Sequence, residues 1–227
     1  MAQRFSLPWA WPYLGCATLA VCGAIVVASA RPEFFHPYFS DIGAVLGVCL
    51  LALVGLVAIA ALRVSGAFFR SLPLSQRGLV RGGLVVVAFA LCAIVADIAL
   101  RFPRDINVPV PWALAFYPAI AFVVEVAFHA IPLALALISF RAPAPALVTA
   151  CVVAVALIEP LFQVRGALAA GNFAPIDFFT FAQVLAFNLF ELHVFRRFGF
   201  APMYAARLLY YLCWHVLWGT ARLWLLF

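Results

Sequence analysis

Apolar residues run along this chain in seven long stretches separated by short polar breaks, at about 10–30, 42–62, 79–100, 111–139, 145–168, 176–195 and 202–226. An apolar run of roughly 20 residues crosses the hydrocarbon core of a bilayer as an α-helix. The pattern therefore predicts an all-α polytopic bundle of about seven transmembrane helices. The second opens near Asp41, the fourth is long enough to tilt, and the fifth carries Pro160. The runs are continuously apolar and do not alternate, which argues against a β-barrel. The first run ends in Ala28-Ser29-Ala30, a sequence that resembles a signal cleavage site. It is long for a signal segment, so we count it as a retained first helix. With no internal repeat and no low-complexity tail, residues 1–227 read as a single transmembrane domain with short loops.

Composition agrees with the pattern. Of 227 residues, 68% are hydrophobic and 10% charged, where soluble domains carry about 25% charged residues. The net charge of +6 comes from arginine, because the chain has no lysine. Without lysine no Schiff base to retinal or pyridoxal phosphate can form, which excludes a seven-helix rhodopsin. The arginines sit between the apolar runs instead of forming a patch, so they read as topology signals and not as a nucleic-acid surface. An inside N-terminus places Arg4, Arg63, Arg70, Arg77, Arg81, Arg141, Arg196 and Arg197 in the cytoplasm. The outside then holds Arg31, Arg101, Arg104 and Arg165, offset by Glu33, Asp41, Asp105 and Asp177. This asymmetry predicts N-in and C-out. The polar segment 63–82, with Phe68 and Phe69, is expected to lie as a short amphipathic helix on the cytoplasmic face. The six cysteines all fall in apolar runs without a CxxC and read as small apolar side chains.

Charge within the apolar runs is the informative exception. A charged side chain at mid-bilayer costs about 2.5–3.5 kcal/mol on insertion scales, so it needs a partner, a cavity or a task. Glu125 and His129 lie four apart near the middle of the fourth run and share a helix face. Glu159 precedes Pro160 and Gln163 in the fifth, where proline removes a backbone donor and kinks the helix. His215 lies near the middle of the seventh. Asp97 and Arg101 read as a local ion pair. Glu191 and His193, beside Arg196 and Arg197, read as a solvated helix end.

Two glutamates and two histidines at similar depth on three helices suggest one shared polar site. A glutamate in a low-dielectric pocket can take a proton from water and return it, and a nearby histidine can orient that water or stabilise an oxyanion. The pattern requires no cofactor, although the same ligand types at Glu125, His129, Glu159 and His215 suit a divalent metal such as zinc. A proton relay would also use them.

The segment 112–220 resembles the CPBP family, the CAAX-prenyl-protease and bacteriocin-processing (Abi) intramembrane proteases. The family ends in a helix, a basic turn with glycine, and a helix bearing His-x-x-x-Asn. Here Phe190 to Pro202 contains Arg196, Arg197 and Gly199, and His215 takes the histidine position with Gly219 where asparagine is usual. The first family motif, Glu-Glu-x-x-x-Arg, corresponds to Val124 to His129, with one glutamate and with histidine replacing arginine. Either Glu125 is the catalytic glutamate, or it is the neighbour and Val124 stands in the catalytic place. The Phe-x-x-x-His motif falls at Ile158 to Gln163, where Glu159 or Gln163 would take the histidine's part. The resemblance implies an intramembrane endopeptidase of a bacterial inner membrane, acting on a membrane-anchored or lipid-modified peptide, in contact with membrane lipid. Glu125 would activate water, His129 and Glu159 would position it, and His215 would stabilise the developing charge. A non-catalytic accessory subunit and a small proton-coupled transporter are the competing expectations. The lack of a repeat argues against the transporter.

Overall fold

Seven long helices dominate the computed structural model, which describes residues 10–39, 42–66, 68 and 75–227. They are α1 (Ala10–Ala30), α2 (Ala44–Val64), α3 (Gln76–Leu100), α4 (Ala113–Leu137), α5 (Pro145–Ala170), α6 (Pro175–Phe198) and α7 (200–225). Their ends fall within about three residues of those expected from the apolar runs, because bilayer thickness dictates helix length. The first six are long and apolar enough to cross a membrane, and no strand occurs among the described residues. The protein is an all-α polytopic membrane bundle. The seventh helix carries Arg207, His215 and Arg222 and is not one of those six. Arg4, Asp41, Phe69 and Arg70 lie outside the described residues. The expected amphipathic helix over 63–82 falls partly there too; of its length, 76–82 belongs to α3, and Phe68 is buried against Phe195.

Helix ends follow local chemistry. The Ser75 hydroxyl accepts from Gly78 N–H at 3.1 Å and starts α3. The carboxylate of Asp177 accepts from Ala174 N–H at 2.9 Å, and Pro175 stands at the first turn of α6. Gly199 joins α6 to α7 alone, at φ +94°, a conformation that L side chains rarely adopt.

The bundle is built around α4. In its most apolar window 61% of residues are buried, against 28–33% for the other five spans. It packs on α1, α2, α5 and α7, while α3 lies outside against α6 and α7. Lipid supplies no hydrophobic drive between helices, so close approach of small residues does the work. On α1 that face is Ala17, Ala20, Ala24 and Val27, at helical spacing. Beside them Gly23 lies against the Ala115 backbone of α4, where an added Cβ would collide with the carbonyl.

The expected Asp97–Arg101 pair does not form. Arg101 ends α3 at φ 56°, in the left-handed region, and its Nη1 donates to the Leu226 carbonyl at 2.7 Å. Asp97 instead takes a bidentate grip from Arg222 of α7, Nε to Oδ2 at 2.6 Å and Nη2 to Oδ1 at 2.8 Å, with Trp218 Nε1 donating at 2.7 Å. Arg222 also donates to the carbonyls of Phe102, Pro103 and Arg104. The geometric match of guanidinium to carboxylate outweighs the local i,i+4 option.

Gly23→Leu is expected to cost about 1–3 kcal/mol through overpacking of the α1–α4 contact. A lower Tm of the purified protein in detergent measures it, and an unchanged Tm would contradict the close approach.

Candidate functional site

Three helices bring carboxylates to one guanidinium. Arg207 of α7 is 2% exposed. Its Nε donates to Glu125 Oε1 of α4 at 2.5 Å. Its Nη1 and Nη2 donate to Glu159 Oε1 and Oε2 of α5, both at 3.2 Å. Its Nη2 also donates to Asn188 Oδ1 of α6 at 3.1 Å and pairs with Glu191 Oε2 of the same helix. The Phe187 and Tyr211 rings flank the guanidinium at 5.6 and 5.9 Å.

The backbone is irregular at the points that feed this cluster. Pro132 cannot donate to the carbonyl four residues back, and just before it α4 widens into a π-helical turn over Glu125–Ala130. In that turn Ile131 N–H bonds to Val126 O, five residues back. His129 Nδ1 nonetheless lies 2.7 Å from Glu125 Oε2. In α5, Pro160 likewise leaves the Ala156 carbonyl without its helical donor, and the helix breaks at Leu157. Asn188 Nδ2 donates to that carbonyl at 3.2 Å, which leaves its Oδ1 facing Arg207. Gln163 Nε2 donates to Glu159 Oε1 at 3.0 Å.

With His129 neutral, Arg207 is the one cation facing these three carboxyl groups among the described residues, at side chains buried to 0–4% exposure. Every carboxylate oxygen except Glu191 Oε1 is engaged. Two buried atoms in the cluster have no partner, Glu191 Oε1 and His129 Nε2. With Glu125 ionised, the hydrogen of the Glu125–His129 bond sits on Nδ1, so Nε2 holds a free lone pair. The nearest recorded charged atom to Nε2 is Glu159 Oε2, at 4.0 Å, beyond hydrogen-bond length. An uncompensated polar atom in so dry a place costs free energy unless something small and polar joins it.

Of the four side chains expected to share a site, Glu125, His129 and Glu159 do meet. His215 does not join them; its hydrogen bond goes elsewhere. Its Nδ1 lies 2.6 Å from Asn107 Oδ1, in the connection between α3 and α4, and its ring stacks on Tyr117 at 4.7 Å. A second π-helical turn, Leu212–Trp218, carries it. Gly219 follows, and a Cβ there would stand 2.9 Å from Asn107 Nδ2. Glycine at this position therefore makes room for the asparagine that holds His215. Tyr211 stands between the two groups, its ring 4.8 Å from that of His215.

Sequence reasoning missed Arg207, Asn188 and the part Glu191 plays. Glu191 is fully buried in the cluster, not at a solvated end; His193 alone is exposed. A search for family models, for curated proteins and for solved structures resembling this chain found no match. What the fold and the cluster define is a multi-pass membrane protein with a buried centre of three carboxyl groups, one imidazole and one guanidinium.

Arg207→Met is expected to destabilise the protein by about 3–5 kcal/mol, because removing one partner leaves buried charges uncompensated. Arg207→Lys keeps the charge but loses the fork that reaches three helices, and should recover only part. Thermal unfolding in detergent ranks the three proteins; equal stability of all of them would show that the cluster is not held by this side chain.

Proposed function

We propose that the protein is an intramembrane hydrolase of the CPBP type that cleaves a peptide bond in a membrane-anchored or lipid-modified substrate. The observation that carries this reading is the Glu125–His129 couple with His129 Nε2 unpartnered, in a group where one ligand atom each of Glu125, His129 and Glu191 lie within 4.8 Å of one another. A carboxylate on Nδ1 with a free Nε2 is the arrangement that makes imidazole a general base.

Glu125 holds the ring and stabilises the imidazolium. His129 Nε2 takes a proton from water while the second hydrogen of that water bonds to Glu191 Oε1. The hydroxide adds to the scissile carbonyl carbon, and the proton passes from Nε2 to the departing amide nitrogen as the C–N bond breaks. Glu125 thereby moves from water activation, its role under the family resemblance, to orienting the base. Glu159, Asn188 and Arg207 fix the couple and Glu191 in place. The substrate enters laterally, between helices, because the reacting side chains lie inside the bundle. The location that suits the arginine distribution is a bacterial cytoplasmic membrane with the N-terminus inside.

One observation favours a second reading, a non-catalytic subunit that binds a membrane partner. Arg207 already occupies oxygens of all three glutamates, which suits a clamp as well as a catalyst.

Cleavage decides between them. The full chain in lipid nanodiscs is offered lipidated and transmembrane peptides, with fragments read by mass spectrometry. Cleavage is expected, and His129→Ala and Glu125→Gln should each lower kcat by about 10²–10⁴-fold without unfolding the protein. A folded His129→Ala protein that cleaves at the normal rate refutes the hydrolase, and no cleavage of any peptide favours the clamp.

A further inference from the structure

Two features of the cluster remain unexplained by hydrogen bonding alone. It packs three carboxyl groups round a single guanidinium. It also presents two fully buried acceptor atoms, His129 Nε2 and Glu191 Oε1, to no partner. A divalent cation answers both at once: it balances the crowded carboxyl groups, gives Glu191 Oε1 a partner and, by taking Nδ1 of His129, leaves Nε2 as a donor N–H. A water molecule fills only the second need.

We propose that Glu125, His129 and Glu191 hold one divalent transition-metal ion of the zinc class. One ligand atom from each of these residues lies within 4.8 Å of the others, a spread that a common ion about 2 Å from each can close with small side-chain rotations. His129 is already dressed as a metal ligand. Its Nδ1 and Glu125 Oε2, 2.7 Å apart, can face one ion, and Nε2 then carries the ring hydrogen toward Glu159 Oε2, 4.0 Å away, as the outer-shell carboxylate. Bonds from Arg207 do not bar the carboxylates from ligation, because each oxygen has two lone pairs. Imidazole with two carboxylates suits zinc, manganese or iron, and three protein ligands leave a position open. The second charge cluster, Asp97 with Arg222, has no such vacancy: both carboxylate oxygens are bonded and the single charges cancel.

Binding of the ion does not depend on hydrolysis. It rests on the hydrolase reading only for its use: a bound ion would take over the activation of water from His129, which would then serve as a ligand instead of the base.

The test uses the full chain in nanodiscs, stripped with chelator, loaded with zinc chloride, desalted and analysed for metal. About one zinc per chain is expected, and zinc affinity should fall about tenfold or more in His129→Ala and in Glu191→Gln. The second variant is isosteric and keeps the contact to Arg207, so it guards against a merely misfolded first one. Cobalt loading should give a visible absorption band in the wild type that both variants lose. Folded wild-type protein that retains no zinc, or variants that retain it as tightly as wild type, overturns the proposal. Metal is counted without substrate, so a chain that binds zinc and cleaves nothing sinks the hydrolase alone, and a metal-free chain that cleaves sinks the ion alone.

Discussion

One guanidinium sets the arrangement of this bundle. In a medium that cannot hydrate ions, a carboxylate survives only beside a cation or a proton, and Arg207 is shared among Glu125, Glu159 and Glu191 on three different helices. None of those helices can slide or turn without breaking a bond to the same side chain. A bundle selected for stability alone would do as well or better with apolar side chains of equal volume there. Retention of so many ionisable groups is therefore better accounted for by a use than by cohesion.

α4 and α5 are irregular where they feed this centre, α6 runs unbroken through Asn188 and Glu191, and α7 is irregular only beyond Arg207, around His215. Wide turns occur at Glu125–Ala130 and Leu212–Trp218, and α5 breaks at Leu157. Proline stands at the root of two of these. Each missing N–H frees a carbonyl or shifts a register, and a polar side chain from a neighbouring helix can answer, as Asn188 answers Ala156. In this way the same residues that weaken a helix locally aim its polar groups inward. Glycine works from the opposite side at Gly219, where an absent Cβ admits Asn107 to His215.

How much of this could be read from the sequence depended on which force ruled. Span positions were legible because a length set by the bilayer leaves a plain apolar signal. The meeting of Glu125, His129 and Glu159 was legible because buried charge demands company. Arg207 was not, because arginines also carry the topology signal and a cation inside the seventh run gives no sign of which acids on other helices it faces. Glu191 was misplaced by proximity along the chain. Arg196 is five residues on, about 140° around the helix, and His193 about 160° away, so their side chains leave on other faces. Asp97 was assigned to Arg101 by the i,i+4 rule, which fails where the helix ends and the backbone turns left-handed.

Both cations that neutralise the interior, Arg207 and Arg222, belong to the last helix, whereas the acids they serve, Asp97, Glu125, Glu159 and Glu191, lie on α3 to α6. During synthesis from the N-terminus the acids therefore reach the membrane first. Until the final hairpin arm follows Gly199, four carboxyl groups must wait as neutral acids, at the interface or with a borrowed counter-ion. A nascent chain arrested before residue 200 would hold six apolar spans and four carboxyl groups without the two guanidinium groups that answer them, so the centre closes only when α7 docks.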